Sequence, residues 1–189
     1  MNGEEIGPDF FKRDPLTCAR ELIGCVFRWH GCEGRIVETE AYTEFDDPAC
    51  HTWNRPSARE FIASHEAGTA YIYLNYGVHW LFNVLTKSAK NSGFVLFRAL
   101  EPVDGLDRMI ERRGKMPLHQ LCSGPGKLTK SLEINGNSHG NDFLMQTGTG
   151  IRKGISAPVI TGGRIGISRA SDFPWRFGDP RSRSLSARF

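Results

Sequence analysis

Alternation of apolar and polar residues predicts the strands of this chain. The clearest case is residues 35–42, where one strand face would carry Ile36, Glu38, Glu40 and Tyr42, because successive side chains point to opposite sides. Further segments rich in β-branched and aromatic residues are predicted strands, namely 25–29, 70–75, 78–86, 94–100, 159–161 and 164–168. The pair Tyr76-Gly77 is the predicted tight turn between two of them.

Helical patterns are short and lie between the strands. Asp14 as the N-cap, Pro15 as the first helical residue and Gly24 as the stop predict one helix. Two more helices are predicted over residues 104–113 and 127–133.

Long polar stretches separate some of these elements. Residues 43–66 are predicted to be a loop with one helical turn at 58–64, and residues 135–154 are predicted to be a second loop. Strands and helices mix without a regular βαβ period. We therefore predict an α+β fold with a curved, largely antiparallel sheet flanked by helices.

The composition is that of one ordinary globular domain spanning residues 1–189, with 39% hydrophobic and 24% charged residues. No apolar run is long enough to span a membrane, and the acidic N-terminus is not a secretory signal. Five cysteines without a C-x-x-C pair argue against disulfides and a zinc knuckle, and they suggest a reducing cytosol. Residues 1–8 and the Arg/Ser-rich residues 179–189 are predicted to be flexible tails.

The net charge of +3 hides an asymmetry along the chain. Residues 1–50 carry five Lys or Arg against eleven Asp or Glu, whereas residues 164–189 carry six against two. A basic C-terminal part could face a polyanion, and a solvated surface of mixed charge explains the same counts equally well.

A carboxylate, a histidine and several tyrosines are close together in the sequence. Glu40 is near the end of a predicted strand, His51 follows within one loop, and Tyr73 belongs to the aromatic run 71–77. Such a group could hold a flat ring between aromatic faces and perform acid/base chemistry beside it. A lone histidine is more often a surface or core residue than a site residue, so His51 is a candidate only because of these neighbours.

Two other residues break local expectations. Arg98 lies inside an apolar strand, so it must be paired with an acid, and Glu40 or Glu38 is the natural partner. For Glu38 itself, a solvated or salt-bridged carboxylate is the simplest interpretation. Tyr76 stands beside the glycine of a tight turn, where an exposed aromatic ring could act as a wedge in a base stack.

Lys127 follows a Gly-Pro-Gly turn at the start of a predicted helix. The segment is not a phosphate-binding loop, because leucine follows the lysine. Free N–H groups at the helix start make Lys127 a candidate phosphate contact, and a simple helix start is an equally good explanation. The six histidines show no metal-ligand spacing, so no metal site is predicted.

Taken together, six segments resemble the alkyladenine (3-methylpurine) DNA glycosylase family of the mammalian type, which also occurs in many bacteria. They are residues 35–42 (RIVETEAY), 49–51 (ACH), 71–77 (YIYLNYG) with Asn83, 98–102 (RALEP), 121–128 (LCSGPGKL) and 164–167 (RIGI). They run in the family's order from about Pro15 to Phe177. One segment alone would be weak, whereas six in order are specific.

The resemblance implies that Glu40 is the general base that activates a water to attack C1′ of the sugar. It implies that Arg98 helps to hold that water and Glu40. Tyr42, His51 and Tyr73 would sandwich the extruded base, and the backbone N–H of His51 could bond to its edge.

The same resemblance gives two residues a part in selecting and opening the DNA. Asn83 would stand where the exocyclic amine of guanine would collide, and Tyr76 would fill the space vacated in the duplex. No lysine pairs with the site as a Schiff-base nucleophile would, which predicts a monofunctional enzyme that leaves an intact abasic site.

The family acts as a monomer without metal or cofactor, and the expected partner is double-stranded DNA that contains damaged purines. Hypoxanthine, 3-methyladenine, 7-methylguanine and ethenoadenine are the expected substrates, without a ranking. No membrane association is expected. The expected location is the cytoplasm or nucleoid of a bacterium, or the nucleus of a eukaryote.

Two alternatives compete with this interpretation. The first is a catalytically weak protein of the same fold that only binds damaged DNA. The second is a hydrolase of free nucleosides that uses Glu38 and Glu40 as an acid/base pair, since residues two apart on a strand lie ~7 Å apart.

Overall fold

The fold is built around one sheet of eight strands in a computed structural model that describes residues 3–189. The strands are β1 (Val26–Trp29), β2 (Cys32–Thr43), β3 (Ala70–Asn75), β4 (His79–Thr86), β5 (Gly93–Asp104), β6 (Thr149–Arg152), β7 (Ile160–Gly162) and β8 (Arg176–Gly178). The helices are α1 (Pro15–Glu21), α2 (His51–Asn54), α3 (Pro56–Ser64), α4 (Leu106–Arg113) and α5 (Pro125–Leu132). Short 3₁₀ turns cover Pro8–Phe11, Leu118–Gln120 and Gly136–Ser138.

The strand order is β3-β4-β5-β2-β1-β6, and β8 pairs with both β2 and β7. All of these pairs are antiparallel. The predicted α+β fold with a curved, largely antiparallel sheet flanked by helices is therefore confirmed. The β2–β5 register shifts on both sides of Glu38, and such bulges increase the local twist of a sheet.

The middle of β2 has a neighbouring strand on each edge. β5 pairs with it on one side, and β8 pairs with Glu38, Thr39 and Glu40 on the other. Both glutamates have no exposed surface as a result. Two carboxylates are thus fixed inside the sheet, where each needs charged or hydrogen-bonding partners.

The main core is rich in aromatic side chains. The ring centroid of Phe27 lies 5.0 Å from that of Phe82 and 5.2 Å from that of Phe97. A second, smaller cluster packs α3 against β3, β4 and β5 and supports the rings of Tyr42 and Tyr73; its members are Cys50, Ala58, Phe61, Ile62, Tyr71, Leu85 and Phe94. This second cluster forms the base on which the candidate site is built.

The predicted elements are largely present, with several differences, one of which is the unpredicted strand β8. The predicted loop 43–66 contains α2 and the nine-residue helix α3, because Ala58, Phe61 and Ile62 recur at helical spacing and are buried. The predicted loop 135–154 contains β6. Residues 164–168 do not form a strand; their backbone and side chains instead bind groups on and near β2.

The segments predicted to be flexible tails make specific contacts. Met1 and Asn2 lie outside the described residues, and within the rest of the N-terminal segment the Ile6 N–H donates to the Ile151 carbonyl at 2.8 Å. In the C-terminal segment Asp179 is buried and accepts from Arg35 at 2.7 Å. The Arg/Ser-rich composition suggested that these side chains are solvated, but Asp179 and Ser186 bond to Arg35 and Glu38 of the sheet.

All five cysteines are free and buried. Burial raises the pKa of the Cys18 thiol to about 12 and that of the Cys50 thiol to about 11, so neither is an activated nucleophile. Between residues 3 and 189 no helix has the length and apolar character needed to cross a membrane. In the same part of the chain no group of three or more His, Cys, Asp or Glu side chains could hold a metal ion.

Candidate active site

A cavity of about 620 Å³ opens between the sheet and the segments that follow β2 and β7. It brings together most of the residues selected from the sequence: Tyr42, His51, Tyr73, Tyr76, Asn83, Arg98 and Lys127 all line it. Glu40 has no exposed surface, but it bonds to cavity-lining residues. A concave, mostly apolar site with a few converging polar groups is the usual form of a ligand pocket.

Glu40 is held by two hydrogen bonds and one ion pair. Its Oε2 accepts from the Tyr42 hydroxyl at 2.7 Å, and its Oε1 accepts from the backbone N–H of Ile165 at 2.8 Å. Arg98 Nη1 lies 3.2 Å from the same Oε1. Burial raises the pKa of Glu40 above its ordinary value, while the Arg98 charge and these hydrogen bonds favour the ionised form.

Arg98 is shared between two carboxylates. Its Nε donates to Glu38 Oε1 at 3.0 Å, and its Nη1 faces Glu40. Burial opposes the charge, but the two carboxylates raise the pKa of Arg98 above its ordinary value. The expectation that Glu40 or Glu38 pairs with Arg98 is met by both at once.

The walls of the cavity are aromatic. The rings of His51 and Tyr73 meet edge to face, with centroids 4.3 Å apart, and His51 Nδ1 lies 3.0 Å from the Tyr71 hydroxyl. Burial and the nearby Arg55 charge lower the pKa of His51 to about 4. The imidazole is therefore neutral at physiological pH and can present its face to a flat ligand.

Asn83 is buried at the cavity wall on β4. Its Nδ2 donates to the Tyr71 carbonyl at 3.1 Å, which fixes the orientation of the amide. The same Tyr71 ring stacks on Phe94 with centroids 4.3 Å apart. Tyr71, which also lines the cavity, thus contacts both His51 and Asn83, a role that alternation along the strand did not reveal.

Arg164 and Asp47 were not identified as site residues from the sequence. Arg164 Nη1 and Nη2 lie 2.6 Å and 2.8 Å from the two carboxylate oxygens of Asp47, and both side chains are fully buried. The Arg164 guanidinium also lies 4.6 Å from the Tyr42 ring centroid. The signal was present in the RIGI segment 164–167, which begins with Arg164 and continues with Ile165, the residue whose N–H binds Glu40.

Tyr76 lies at the tip of the β3–β4 hairpin, as the turn prediction required. Its side chain is 87% exposed, and the Val78 N–H donates to the Asn75 carbonyl across the turn. Tyr76 and Gly77 have φ values of 50° and 70°, the left-handed region that favours glycine and asparagine. A bulky residue in this strained position, fully presented to solvent, is a sign of function.

Basic side chains line the cavity near the start of α5. Lys127 Nζ donates to Ser123 Oγ at 3.3 Å, and Lys130 and Arg113 line the same cavity. Of these three, only Lys127 was selected from the sequence. The spacing within each helix did not show that α4 and α5 place Arg113 beside the two lysines, because that proximity is tertiary.

Comparison with known proteins agrees with this geometry. A family model described as methylpurine-DNA glycosylase matches residues 9–183. A protein of Agrobacterium fabrum is 44% identical over 190 residues, covering 98% of this chain and 94% of its own length. A protein of Nitrosospira multiformis is 42% identical, covering 95% of this chain and 92% of its own length. A protein of Rhodopseudomonas palustris strain HaA2 is 41% identical, covering 95% of this chain and 89% of its own length. All three carry the provisional name 3-methyladenine DNA glycosylase.

Proposed function

The chain belongs to the methylpurine-DNA glycosylase family, and from this premise we propose that it is a monofunctional DNA glycosylase of base excision repair. It would extrude a damaged purine from double-stranded DNA, because a base inside the stack cannot be reached. It would then hydrolyse the N-glycosidic bond and leave an abasic site. Hypoxanthine, 3-methyladenine, 7-methylguanine and ethenoadenine are the proposed substrates, and the enzyme would act as a monomer without metal or cofactor.

One observation carries the proposal. The Glu40 carboxylate is fully buried, yet its three partners, Arg98, Tyr42 and Ile165, all line an aromatic cavity. A carboxylate without solvent is costly unless it is used or paired, and this one is paired with residues that face a ligand. A general base with a raised pKa that remains ionised is well suited to take a proton from water near neutral pH.

The hydrogen bonds of Glu40 leave acceptor capacity for a water. An ionised carboxylate has about four acceptor positions. Tyr42 and Ile165 donate to two of them, and the Arg98 charge lies 3.2 Å from Oε1, so Glu40 keeps acceptor capacity for the nucleophilic water. As the water oxygen forms its bond to C1′, its proton passes to Glu40, and the electron pair of the breaking C1′–N bond leaves with the purine.

The cavity walls would hold the extruded base. Tyr42 on one side and His51 with Tyr73 on the other would sandwich a purine, and stacking of this kind contributes about 1–3 kcal/mol per base. A purine made cationic by alkylation would gain cation–π attraction and would also be a good leaving group. We further propose that the buried Asn83 excludes guanine by collision with its exocyclic amine.

Contacts with the rest of the duplex would come from the cavity rim. Tyr76, exposed at the hairpin tip, would fill the gap left by the extruded base. Lys127, together with Lys130 and Arg113, would meet the phosphate backbone. None of the three groups that hold Glu40 is a lysine, which supports a monofunctional reaction without a Schiff base.

The structure bears on both alternatives. Glu38 accepts from Arg98, Arg176 and Ser186 and does not line the cavity, so it is badly placed to act as an acid on a free nucleoside. The intact Glu40–Arg98 pair argues against a protein that only binds DNA. The rim of exposed aromatic and basic side chains also has no use in hydrolysis of a free nucleoside.

The decisive experiment measures release of hypoxanthine from a defined duplex, with Glu40→Gln as the control. We expect release by the wild type and a loss of at least ~100-fold in the variant, the low end of what general-base catalysis contributes. Equal release by both proteins would contradict the assignment of Glu40, and absence of release by the wild type would contradict the enzyme. Treatment with borohydride during turnover should trap no covalent protein–DNA adduct.

A further inference from the structure

Arg98 is fixed by the last six residues, 184–189, none of which lines the cavity. Its Nη2 donates to Ser186 Oγ at 3.2 Å, while its Nε donates to Glu38 and its Nη1 faces Glu40. The guanidinium is thus held at three corners by three different residues. Only one of these corners, Nη1, serves the predicted base.

Glu38 acts as the hub of this arrangement. Its Oε2 accepts the Ser186 backbone N–H at 2.6 Å, and its Oε1 accepts the Ser186 hydroxyl at 2.7 Å, Arg98 Nε at 3.0 Å and Arg176 Nη1 at 3.3 Å. Glu38 has no exposed surface and does not line the cavity. Four donors on one buried carboxylate are more than structural pairing with Arg98 alone requires.

Arg176 joins the C-terminal segment to the hub. Its Nη2 donates to the Arg188 carbonyl at 2.9 Å, and its guanidinium lies 3.8 Å from the centroid of the Phe189 ring. The buried cluster therefore contains two carboxylates, Glu38 and Glu40, and two arginines, Arg98 and Arg176. Ser186 lies between Glu38 and Arg98 and has contacts to both.

We propose that Ser186, Glu38 and Arg176 are positioning residues that orient Arg98, so that the C-terminal segment 184–189 sets the geometry of the Glu40 base without contacting the substrate. This inference rests on the proposed function. By occupying Nε and Nη2, Glu38 and Ser186 leave Arg98 only one way to present Nη1 to Glu40. A small displacement of such a group can slow a reaction strongly, because catalysis depends on alignment.

The proposal predicts opposite pH shifts for two substitutions. The charged or titratable groups around Glu40 are Glu38, Tyr42, Tyr73, Arg98, Arg164 and Arg176. Ser186→Ala would leave Arg98 Nη2 unpartnered and loosen its contact with Glu40, so the proton would bind Glu40 more tightly. Glu38→Gln keeps an oxygen that can accept from Arg98 Nε but removes a like charge next to Glu40, so the proton would bind less tightly.

The experiment measures single-turnover release of 7-methylguanine from duplex DNA across a pH series. Wild type, Ser186→Ala, Ser186→Thr, Glu38→Gln and Ser182→Ala are compared. Ser182 is the matched control, because its hydroxyl lies two residues before the segment and bonds to Glu101 and the Ser184 N–H but not to the hub. Binding to lesion DNA and thermal unfolding are measured for each protein, so that weaker binding or loss of fold can be recognised.

For Ser186→Ala we expect a roughly tenfold lower rate at saturating enzyme and unchanged affinity for lesion DNA. The acidic limb of its pH–rate profile, where the rate falls as the pH decreases, should move to higher pH by roughly half a unit. Ser186→Thr should restore the rate, Ser182→Ala should match the wild type, and Glu38→Gln should move the limb downward. The proposal would be overturned if Ser186→Ala and Glu38→Gln both had the rate and the acidic limb of the wild type. It would also be overturned if the acidic limbs of the two variants moved in the same direction. If the wild type releases the base and Glu40→Gln does not, the proposed function stands and only the positioning role has failed. If the wild type releases no base, the proposed function fails, and the inference loses its basis as well.

Discussion

Arg164 and Asp47, 117 residues apart in the sequence, form a two-point ion pair with no exposure of either side chain. The pair connects two walls of the site. Asp47 accepts the Ala49 N–H at 3.0 Å, two residues before His51, and Arg164 lies against the Tyr42 ring and donates to the Ala41 carbonyl. Removing either charge would therefore disturb both walls.

Arg164→Met should leave the Asp47 carboxylate buried without its charged partner. We expect a loss of about 3–5 kcal/mol in the free energy of unfolding, measured by urea denaturation. Lys153→Met, which breaks the exposed pair with Glu4, is the control and should cost less than ~1 kcal/mol. Similar losses in both variants would show that burial of the Arg164–Asp47 pair is not what makes it important.

Glu40 should give the reaction an acidic limit. Burial raises its pKa above 4.5, the ordinary value of a glutamate, and only the ionised carboxylate can take a proton from water. The rate should therefore be constant above the raised pKa and fall tenfold per pH unit below it. 7-Methylguanine is the suitable substrate for this pH series, because its leaving group already carries a positive charge and needs no proton.

Glu40→Gln has no carboxylate to titrate and should show a flat residual rate over the same pH range. An acidic limb that persists in this variant would place the titrating group elsewhere. Tyr42→Phe is a finer control, since it removes only the 2.7 Å hydrogen bond to Glu40 and should move the limb upward.

His51 should make the folded protein sensitive to mild acid. Its pKa is lowered from 6.5 to about 4, so between these values the unfolded chain binds a proton that the folded chain does not. The stability that depends on neutral His51 is complete above pH 6.5 and is lost as the pH falls toward 4. Between pH 7 and pH 5 this loss should be on the order of 2 kcal/mol, at about 1.4 kcal/mol per unit.

The measurement compares urea unfolding of the wild type and His51→Gln at both pH values, since glutamine cannot gain the charge. The wild type should lose more stability than the variant on acidification. His119→Gln retains His51 and should behave like the wild type. Identical pH dependence in wild type and His51→Gln would mean that the imidazole is more accessible to protons than its contacts with Tyr71 and Tyr73 suggest.

The sequence predicted best those parts of the site that depend on local pattern. Alternation along β2 placed Glu38, Glu40 and Tyr42 on one face, and the turn residues placed Tyr76 at a hairpin tip. Ile36 was predicted on the same face but packs in the main core with Ala41, because the register of β2 shifts at Glu38. Glu38 and Glu40 do meet the same Arg98, as that pattern required. These inferences needed only the two-residue period of a strand and the conformational preference of glycine.

Contacts between distant segments could not be predicted in the same way. Nothing in the local pattern pairs Ser186 with Glu38, which is 148 residues away, and an Arg/Ser-rich segment by composition alone suggests a solvated tail. The helix α3 was underestimated because residues 43–66 were judged by their polar character, whereas Pro56 stands in the first turn of the helix, where proline is favoured. For Ser186 the missing information was which buried partner its polar groups would find.

Tyr76 should show a conflict between stability and activity. With φ of 50° it occupies the first central position of a turn that favours asparagine, and its ring has 87% of its surface exposed. Tyr76→Asn should relieve this strain and raise the free energy of unfolding by about 0.5–1 kcal/mol. The same change should lower the rate of hypoxanthine release from double-stranded DNA, because no ring would fill the gap left by the extruded base. Release from a single strand, which has no base stack to hold open, should change far less. Tyr76→Phe keeps the ring and should retain the wild-type rate on both substrates, whereas equal losses for Tyr76→Asn on both would contradict a wedge.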